Sequence, residues 1–241
     1  MMFKRFVTLF LMLTLLLGLI AMPTASAATA EEITVLFTHD LHSHLLPSAN
    51  ETGEGEYGGY ARLMTAIKAQ KAIDPDAILV DGGDFSMGSL FQTAFATSAI
   101  ELRMMGAMGY DATTLGNHEF DYLRSGLMSM FRAAEASGDR IPTLVCANYR
   151  VPSTGEENYD GEFLTNFYKY VKPYTILERG GVYYVLFGIF GTDADDCAPN
   201  SEMILDDPAE TAQKVVNLAV EECKTQYGAD PMVVCLSHST P

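Results

Sequence analysis

Positive charge is scarce in this chain. Its 241 residues include 15 lysines and arginines against 31 aspartates and glutamates, a formal net charge of −16. A field of that sign repels nucleic-acid backbones and argues against a duplex-binding module. It leaves room for a small phosphorylated substrate only where a local cation cancels the charge. Cysteine is sparse too: Cys146, Cys197, Cys223 and Cys235, with no C-x-x-C spacing to suggest a zinc knuckle or a redox motif. Four cysteines allow three pairings, but Cys146 and Cys235 lie in the apolar runs "TLVCANY" and "VVCLSH" and read as buried free thiols. After Met22 no apolar stretch is long enough to span a bilayer. There are no internal repeats and no obvious interdomain linker.

At the N-terminus Lys4 and Arg5 precede an uncharged apolar run, Phe6 to Met22, followed by Pro23 and Ala25-Ser26-Ala27. This order reads as a secretory signal peptide, residues 1–27, cleaved after Ala27. An uncleaved membrane anchor is the alternative. Cleavage removes two positive charges and leaves a still more acidic chain, secreted and therefore extracellular, periplasmic or at the cell surface. Residues 28–241 suffice for one large domain with a substantial core.

Within that domain "ITVLFTHD", "AILVDGGD", "DATTLGNHEFD" and "IPTLVCANY" each open as an apolar strand and end on polar residues. "YARLMTAIKAQKA" has helical spacing, with Tyr60, Leu63, Met64 and Ile67 on one face. A long helix is predicted from about Ser89 to Met108, another over "YLRSGLMSMFRAAEAS", and a third over "DDPAETAQKVVNLAVEECKTQYG". "SANETGEGEYGG" reads as a loop, and Arg150 to Asn166 as a polar excursion or insertion. "YVKPYTILERGGVYYVLFGIFG" reads as two strands joined at Gly180-Gly181, and "PMVVCLSHSTP" as a final strand with His238 just beyond it. Alternating strands and helices predict an α/β layered fold.

The five histidines are unevenly spread: "FTHDLHSHLLP" holds His39, His42 and His44 around Asp40. The polar residues of chemical interest sit where strands end: Asp40 and His42, then Asp84, then Asn117 and His118, then His238. Loops beyond strand C-termini converge in open α/β sheets, so these residues are expected to meet. Asp, His and Asn oxygen and nitrogen donors suit zinc, manganese, iron, cobalt or magnesium rather than a soft ion. Asp40 and His42 share a side of an extended segment. Asp84 follows two glycines that let its backbone turn sharply and approach another group. A carboxylate there can bridge two ions, and Asn117 with His238 completes a second site. Each element has a bland alternative: a chance D-x-H, a Gly-Gly-Asp turn, Asn117 as a helix cap, a strand-end histidine. Four of them in succession, each after a predicted strand, favour the metal centre.

The segments "ITVLFTHDLHSHL", "ILVDGGDFSMGS", "YDATTLGNHEFD" and "VVCLSH", in this order, resemble the N-terminal catalytic domain of the secreted 5′-nucleotidase/UDP-sugar hydrolase family, within the calcineurin-like metallophosphoesterases. The resemblance implies an α/β/β/α sandwich, incomplete at the C-terminus, holding two divalent ions. Asp40 and His42 would ligate the first, Asp84 both, and Asn117 and His238 the second. Asn117 and His118 would also meet the substrate phosphate. His118 would be no ligand but would stabilise transition-state charge or protonate the leaving oxygen, with Asp121 orienting it. Glu119 reads as structural and His44 as outside the coordination sphere. His39 stands where that family usually has asparagine, and by strand alternation it is expected to point away from Asp40. The implied reaction is metal-assisted hydrolysis of phosphate esters, most simply a 5′-nucleotide. A 2′,3′-cyclic nucleotide phosphodiesterase, a UDP-sugar pyrophosphatase and a secreted metal-binding protein with an impaired centre are the alternatives. The family's further "GHxH"-like segment, which supplies one more ligand to each ion, and its nucleoside-binding C-terminal domain do not occur here. This piece alone is therefore expected to bind metal weakly and turn over slowly.

Overall fold

The computed structural model describes residues 32–49 and 52–239. The expected signal peptide, residues 1–27, lies outside them. Among the described residues no helix is long and apolar enough to cross a membrane.

Among the described residues twelve strands form in chain order: β1 Val35–Thr38, β2 Ser48–Ala49, β3 Glu56–Tyr57, β4 Ile78–Asp81, β5 Ala112–Thr113, β6 Thr143–Val145, β7 Tyr149–Arg150, β8 Val171–Lys172, β9 Tyr174–Arg179, β10 Val182–Phe190, β11 Ile204–Leu205 and β12 Met232–His238. Five of them make one sheet in the order β1-β4-β5-β6-β8, every neighbouring pair parallel. Spatial order follows chain order, so each crossover steps the same way. Right-handed crossovers then put every connecting helix on one face. The large core cluster joins that face to the helices Tyr60–Ile73, Ile100–Met108, Leu123–Ser137 and Gly161–Tyr170 through Leu79, Leu102, Phe131, Leu144 and Phe167.

The opposite face meets a second sheet, β12-β10-β9, in which β10 runs parallel to β12 and antiparallel to β9. β10 is buried over most of its length, as a strand covered on both sides must be. Phe190 joins the first sheet's core, while Phe187 and Ile189 pack with Val215 of the helix Pro208–Tyr227. The layers are thus helix, sheet, sheet, helix. Gly188 sits at the joint of the sheets: a Cβ there would lie 2.0 Å from the Val145 carbonyl oxygen and 2.6 Å from Thr114 Oγ1. On β1, Val35 and Phe37 on the outer face remain 41% and 53% exposed.

Several expectations hold. The helix Tyr60–Ile73 buries Tyr60 and Ile67 and packs Leu63 and Met64 against the core. The Gly180-Gly181 hairpin forms, pairing Val182 with Arg179. The last helix starts where Asp207 accepts from the Glu210 N–H at 2.7 Å and ends at Gly228, φ 68°. Other expectations fail for identifiable reasons. The helix over 89–108 is broken into a 3-10 segment, Leu90–Ala94, and two helices, Phe95–Ser98 and Ile100–Met108, because Ala99 is left-handed (φ 49°) and wholly buried. The excursion after Arg150 turns helical at its end: Asp160 accepts from the Glu162 and Phe163 N–H groups and starts Gly161–Tyr170. The stretch after Tyr170 is three strands, since Pro173 separates β8, which edges the first sheet, from β9. The loop at 48–59 carries the short β2–β3 ladder. His238 is the last residue of β12 rather than beyond it. All four cysteines are free; Cys146 and Cys223 are buried, but Cys235, expected inside, is exposed on an outward position of β12.

Candidate metal centre

β1, β4 and β5 and the parallel strand β12 end on one side of the sandwich. The loops after the first three and the last residue of β12 bring Asp40, His42, Asp84, Asn117, His118 and His238 together. One donor atom each from His42, Asp84 and His118 lies within 4.8 Å of the others, and the same holds for Asp40, Asp84 and His238. Asp84 belongs to both groups, as a shared carboxylate would, while Asp40 and His42, expected on one ion, fall in different groups. Asp40 Oδ1 is 3.4 Å from His42 Nε2; His238 Nε2 lies 3.3 Å from Asp84 Oδ2 and 3.2 Å from Asn117 Oδ1. Asn117 opens a 3-10 turn, Asn117–Phe120, behind Gly116, so it faces His238 instead of capping a helix. Asp121 Oδ2 is 2.7 Å from His118 Nδ1, and His118 stands edge-on to His42, ring centres 5.1 Å apart. His118 thus lies within ligand distance of Asp84, although the sequence kept it out of both ligand sets. His44 is exposed and outside both groups.

The imidazoles share one device. Nδ1 of His238 contacts the Gly82 carbonyl at 2.8 Å, Nδ1 of His42 contacts the Ser86 carbonyl at 3.3 Å, and Nδ1 of His118 contacts the Asp121 carboxylate. An N–H committed at Nδ1 turns Nε2 towards the cleft, where a neutral ring offers a lone pair to a metal and a protonated ring offers a donor. Three such nitrogens, two carboxylates and an amide oxygen converging on one spot fit a divalent-ion centre.

The backbone is bent to make this possible. Asp40, His42 and Ser43 have φ of 51°, 46° and 51°, and Asp84 has φ 54°. Left-handed non-glycine residues cost about 1–3 kcal/mol each and gather where function requires them. Asp40 and His42 therefore meet through a tight turn rather than by strand alternation. The same turn overturns the expectation for His39: outside an extended segment the two-residue period lapses, and His39 Nδ1 hydrogen-bonds the Asp40 carboxylate while its ring stacks on Phe37. The turn is laced to the Gly82–Phe85 loop by Asp40 N–H to Gly83 O, His42 N–H to Asp84 O and Ser43 N–H to Phe85 O, each 3.0 Å.

Glu119, wholly buried, holds the next two loops. It accepts from the Asp84 N–H (3.0 Å), the Ser86 N–H (3.1 Å), Ser86 Oγ (2.7 Å) and the Gly116 N–H (2.6 Å). Gly116 permits this close passage: a Cβ would stand 2.1 Å from Asp84 Oδ1. Glu119 reads as structural in the sequence, and the geometry says what it supports. Burial, and then the Asp84 charge, push its carboxyl well up. Burial alone would raise Asp84, but the His238 hydrogen bond and charge carry it below the ordinary carboxylate range. Burial would lower His238, and its bond to Asp84 outweighs that and raises it. His118 is likewise raised, burial being outweighed by the Asp121 hydrogen bond.

The calcineurin-like phosphoesterase family pattern matches residues 33–187. Among curated relatives, a snake venom 5′-nucleotidase of Gloydius brevicauda is 32% identical over 158 residues, 64% of this chain and 24% of that protein. A human 5′-nucleotidase is 36% identical over 121 residues, 48% of this chain and 20% of its own length. The chain thus spans about a quarter of the curated relatives it matches. Among solved structures, a 5′-nucleotidase precursor from Thermus thermophilus superposes with a TM-score of 0.64 at 26% identity, covering 86% of this chain and 37% of that one. With the sandwich, the converging strand ends and a match over most of the folded domain, this chain belongs to the calcineurin-like phosphoesterases, metal-dependent hydrolases whose relatives here include 5′-nucleotidases.

Proposed function

We propose that this chain carries a two-ion centre for hydrolysis of phosphate esters, 5′-nucleotides being the favoured class, in a protein exported from the cell. The observation that carries the reading is the shared Asp84 beside His42 and His238, each tied back at Nδ1, with His118 held by Asp121 next to them. In this reading Asp40 and His42 hold the first ion, Asp84 holds both, and Asn117 and His238 hold the second. Divalent ions held there supply Lewis-acid charge for the phosphoryl oxygens and acidify a bound water. The chain's own part is positional. Asp121 accepts from His118 Nδ1, fixes the ring's orientation and favours its protonated form. His118 Nε2–H then faces the cleft as the donor to the leaving oxygen, and the Asn117 amide contacts the phosphate beside it. The 5′-nucleotidases among the relatives favour nucleotides as substrates over other esters. Cyclic nucleotides and nucleotide sugars are the alternatives a substrate panel distinguishes.

The test is His118→Asn, assayed on AMP and p-nitrophenyl phosphate with metal content measured in parallel. Turnover is expected to fall about 10²–10⁴-fold, the usual worth of a general acid, with metal content unchanged. Loss of metal would make His118 a ligand and overturn its assigned role. A wild-type chain that binds metal but hydrolyses no phosphate ester would favour the impaired metal-binding alternative.

A further inference from the structure

The turn that carries Asp40 and His42 is left-handed at three non-glycine residues, and something has to hold it. Ser43 is wholly buried. Its N–H donates to the Phe85 carbonyl (3.0 Å) and its carbonyl accepts from Ser89 Oγ (2.6 Å). Both partners lie on the loop that carries Asp84, so these bonds tie one site loop to another. One bond reaches the helix layer: Ser43 Oγ donates to Glu101 Oε1 at 2.7 Å. Glu101 lies in the first turn of the helix Ile100–Met108, straight after the break at Ala99, and is 1% exposed. Burial raises its carboxyl. A buried acid between Ile100 and Leu102 is costly unless it has a task, and the reaction above gives it none. Asp84's loop has its own deep anchor in Glu119; Glu101 is the counterpart for the neighbouring turn.

We infer that Glu101 is a positioning residue which, through Ser43, fastens the Asp40–His42 turn to the helix layer and so sets the affinity of the ion held by those two side chains. The inference rests on the proposed reading that Asp40 and His42 bind an ion. Only Oε1 is engaged; Oε2 has no hydrogen-bond partner among the described residues. An amide oxygen can therefore replace the carboxylate oxygen, which makes the claim separable from a mere need for bulk or charge.

The experiment measures Mn²⁺ binding to the whole chain by equilibrium dialysis, with phosphatase activity as a function of Mn²⁺ alongside. Glu101→Leu removes the acceptor at similar volume, Glu101→Gln keeps it, and Ser43→Ala removes the donor. Leu at 101 and Ala at 43 are each expected to weaken one of the two binding events by about 10–100-fold, while Gln at 101 stays within about threefold of wild type. Activity at saturating Mn²⁺ should survive in all three. If Glu101→Leu fails to fold, Ser43→Ala decides the matter. Unaltered Mn²⁺ affinity in folded Ser43→Ala, or equal damage from Gln and Leu at 101, would overturn the inference. A wild-type chain that binds no Mn²⁺ would instead sink the reading beneath it, and the two failures are told apart by that one control.

Discussion

Beneath the cleft, Asp81 illustrates what a single buried carboxylate does to stability. It ends β4 with no exposed surface and accepts from Thr38 Oγ1 (2.6 Å), Thr113 Oγ1 (2.8 Å) and the Gly83 N–H (3.0 Å). Those bonds favour the ionised form, yet burial outweighs them and moves the group from 3.8 up to about 6. The folded state then holds the proton more tightly than the unfolded state. Between pH 3.8 and pH 6 the folded chain binds more protons, so stability from this group falls as pH rises through that window. The loss is complete above it, on the order of 3 kcal/mol for a shift of this size. Denaturant unfolding of wild type and Asp81→Asn, both in chelator, should give curves whose difference changes by that amount across the window. The asparagine's altered hydrogen bonding adds only a constant offset. A difference that stays flat with pH would mean that Asp81 remains ionised in the folded state and that burial does not dominate there.

Pairs of elements impose a different constraint, because the two sheets touch backbone to backbone at Gly188. With a Cβ only 2.0 Å from the Val145 carbonyl oxygen, no rotamer relieves the clash; the sheets must part or the strands shift. Gly188→Ala is expected to lower unfolding free energy by about 3 kcal/mol, read as a lower urea midpoint. An unchanged midpoint would show that the layers are not in contact at this point. This is also where sequence reading reached its limit. Strand ends, the hairpin at Gly180-Gly181 and the Asp207-to-Gly228 helix were legible because each depends on local chemistry: β-branched runs, turn glycines and caps. The break at Ala99 was not, since alanine favours an unbroken helix and only the buried surroundings hold it at φ 49°. The site residues were legible as types at strand ends, and so was their convergence. The backbone path was not: Asp40 and His42 come together through left-handed turns that a two-residue period cannot express. Glu101 left one trace, a lone acid in "TSAIELRMMGAMGY", with nothing local to link it to Ser43, 58 residues earlier.

Charge acts on the molecule as a whole. The chain carries a formal −16, and its proposed substrates are dianions at neutral pH. Held ions would supply positive charge at the cleft, but that field is local, whereas the acidic surface repels an approaching phosphate over the whole Debye length. That length is about 30 Å at 0.01 M salt and about 8 Å at 0.15 M. At low salt an incoming dianion therefore meets the summed charge well before it meets the centre. At higher salt the distant acids are screened first, while the short-range attraction within the cleft is screened much less. Raising ionic strength from about 0.01 M to about 0.15 M should thus increase kcat/KM for a phosphate monoester, by about two- to fivefold, through the association step. A monoanionic diester should respond about half as strongly on a logarithmic scale, since its interaction scales with its charge. Steady-state rates across that salt range, at fixed Mn²⁺ and pH, measure both slopes. A fall in kcat/KM with salt would mean that the positive charge of the centre governs approach even at long range, and that the acidic exterior is no barrier to the substrate.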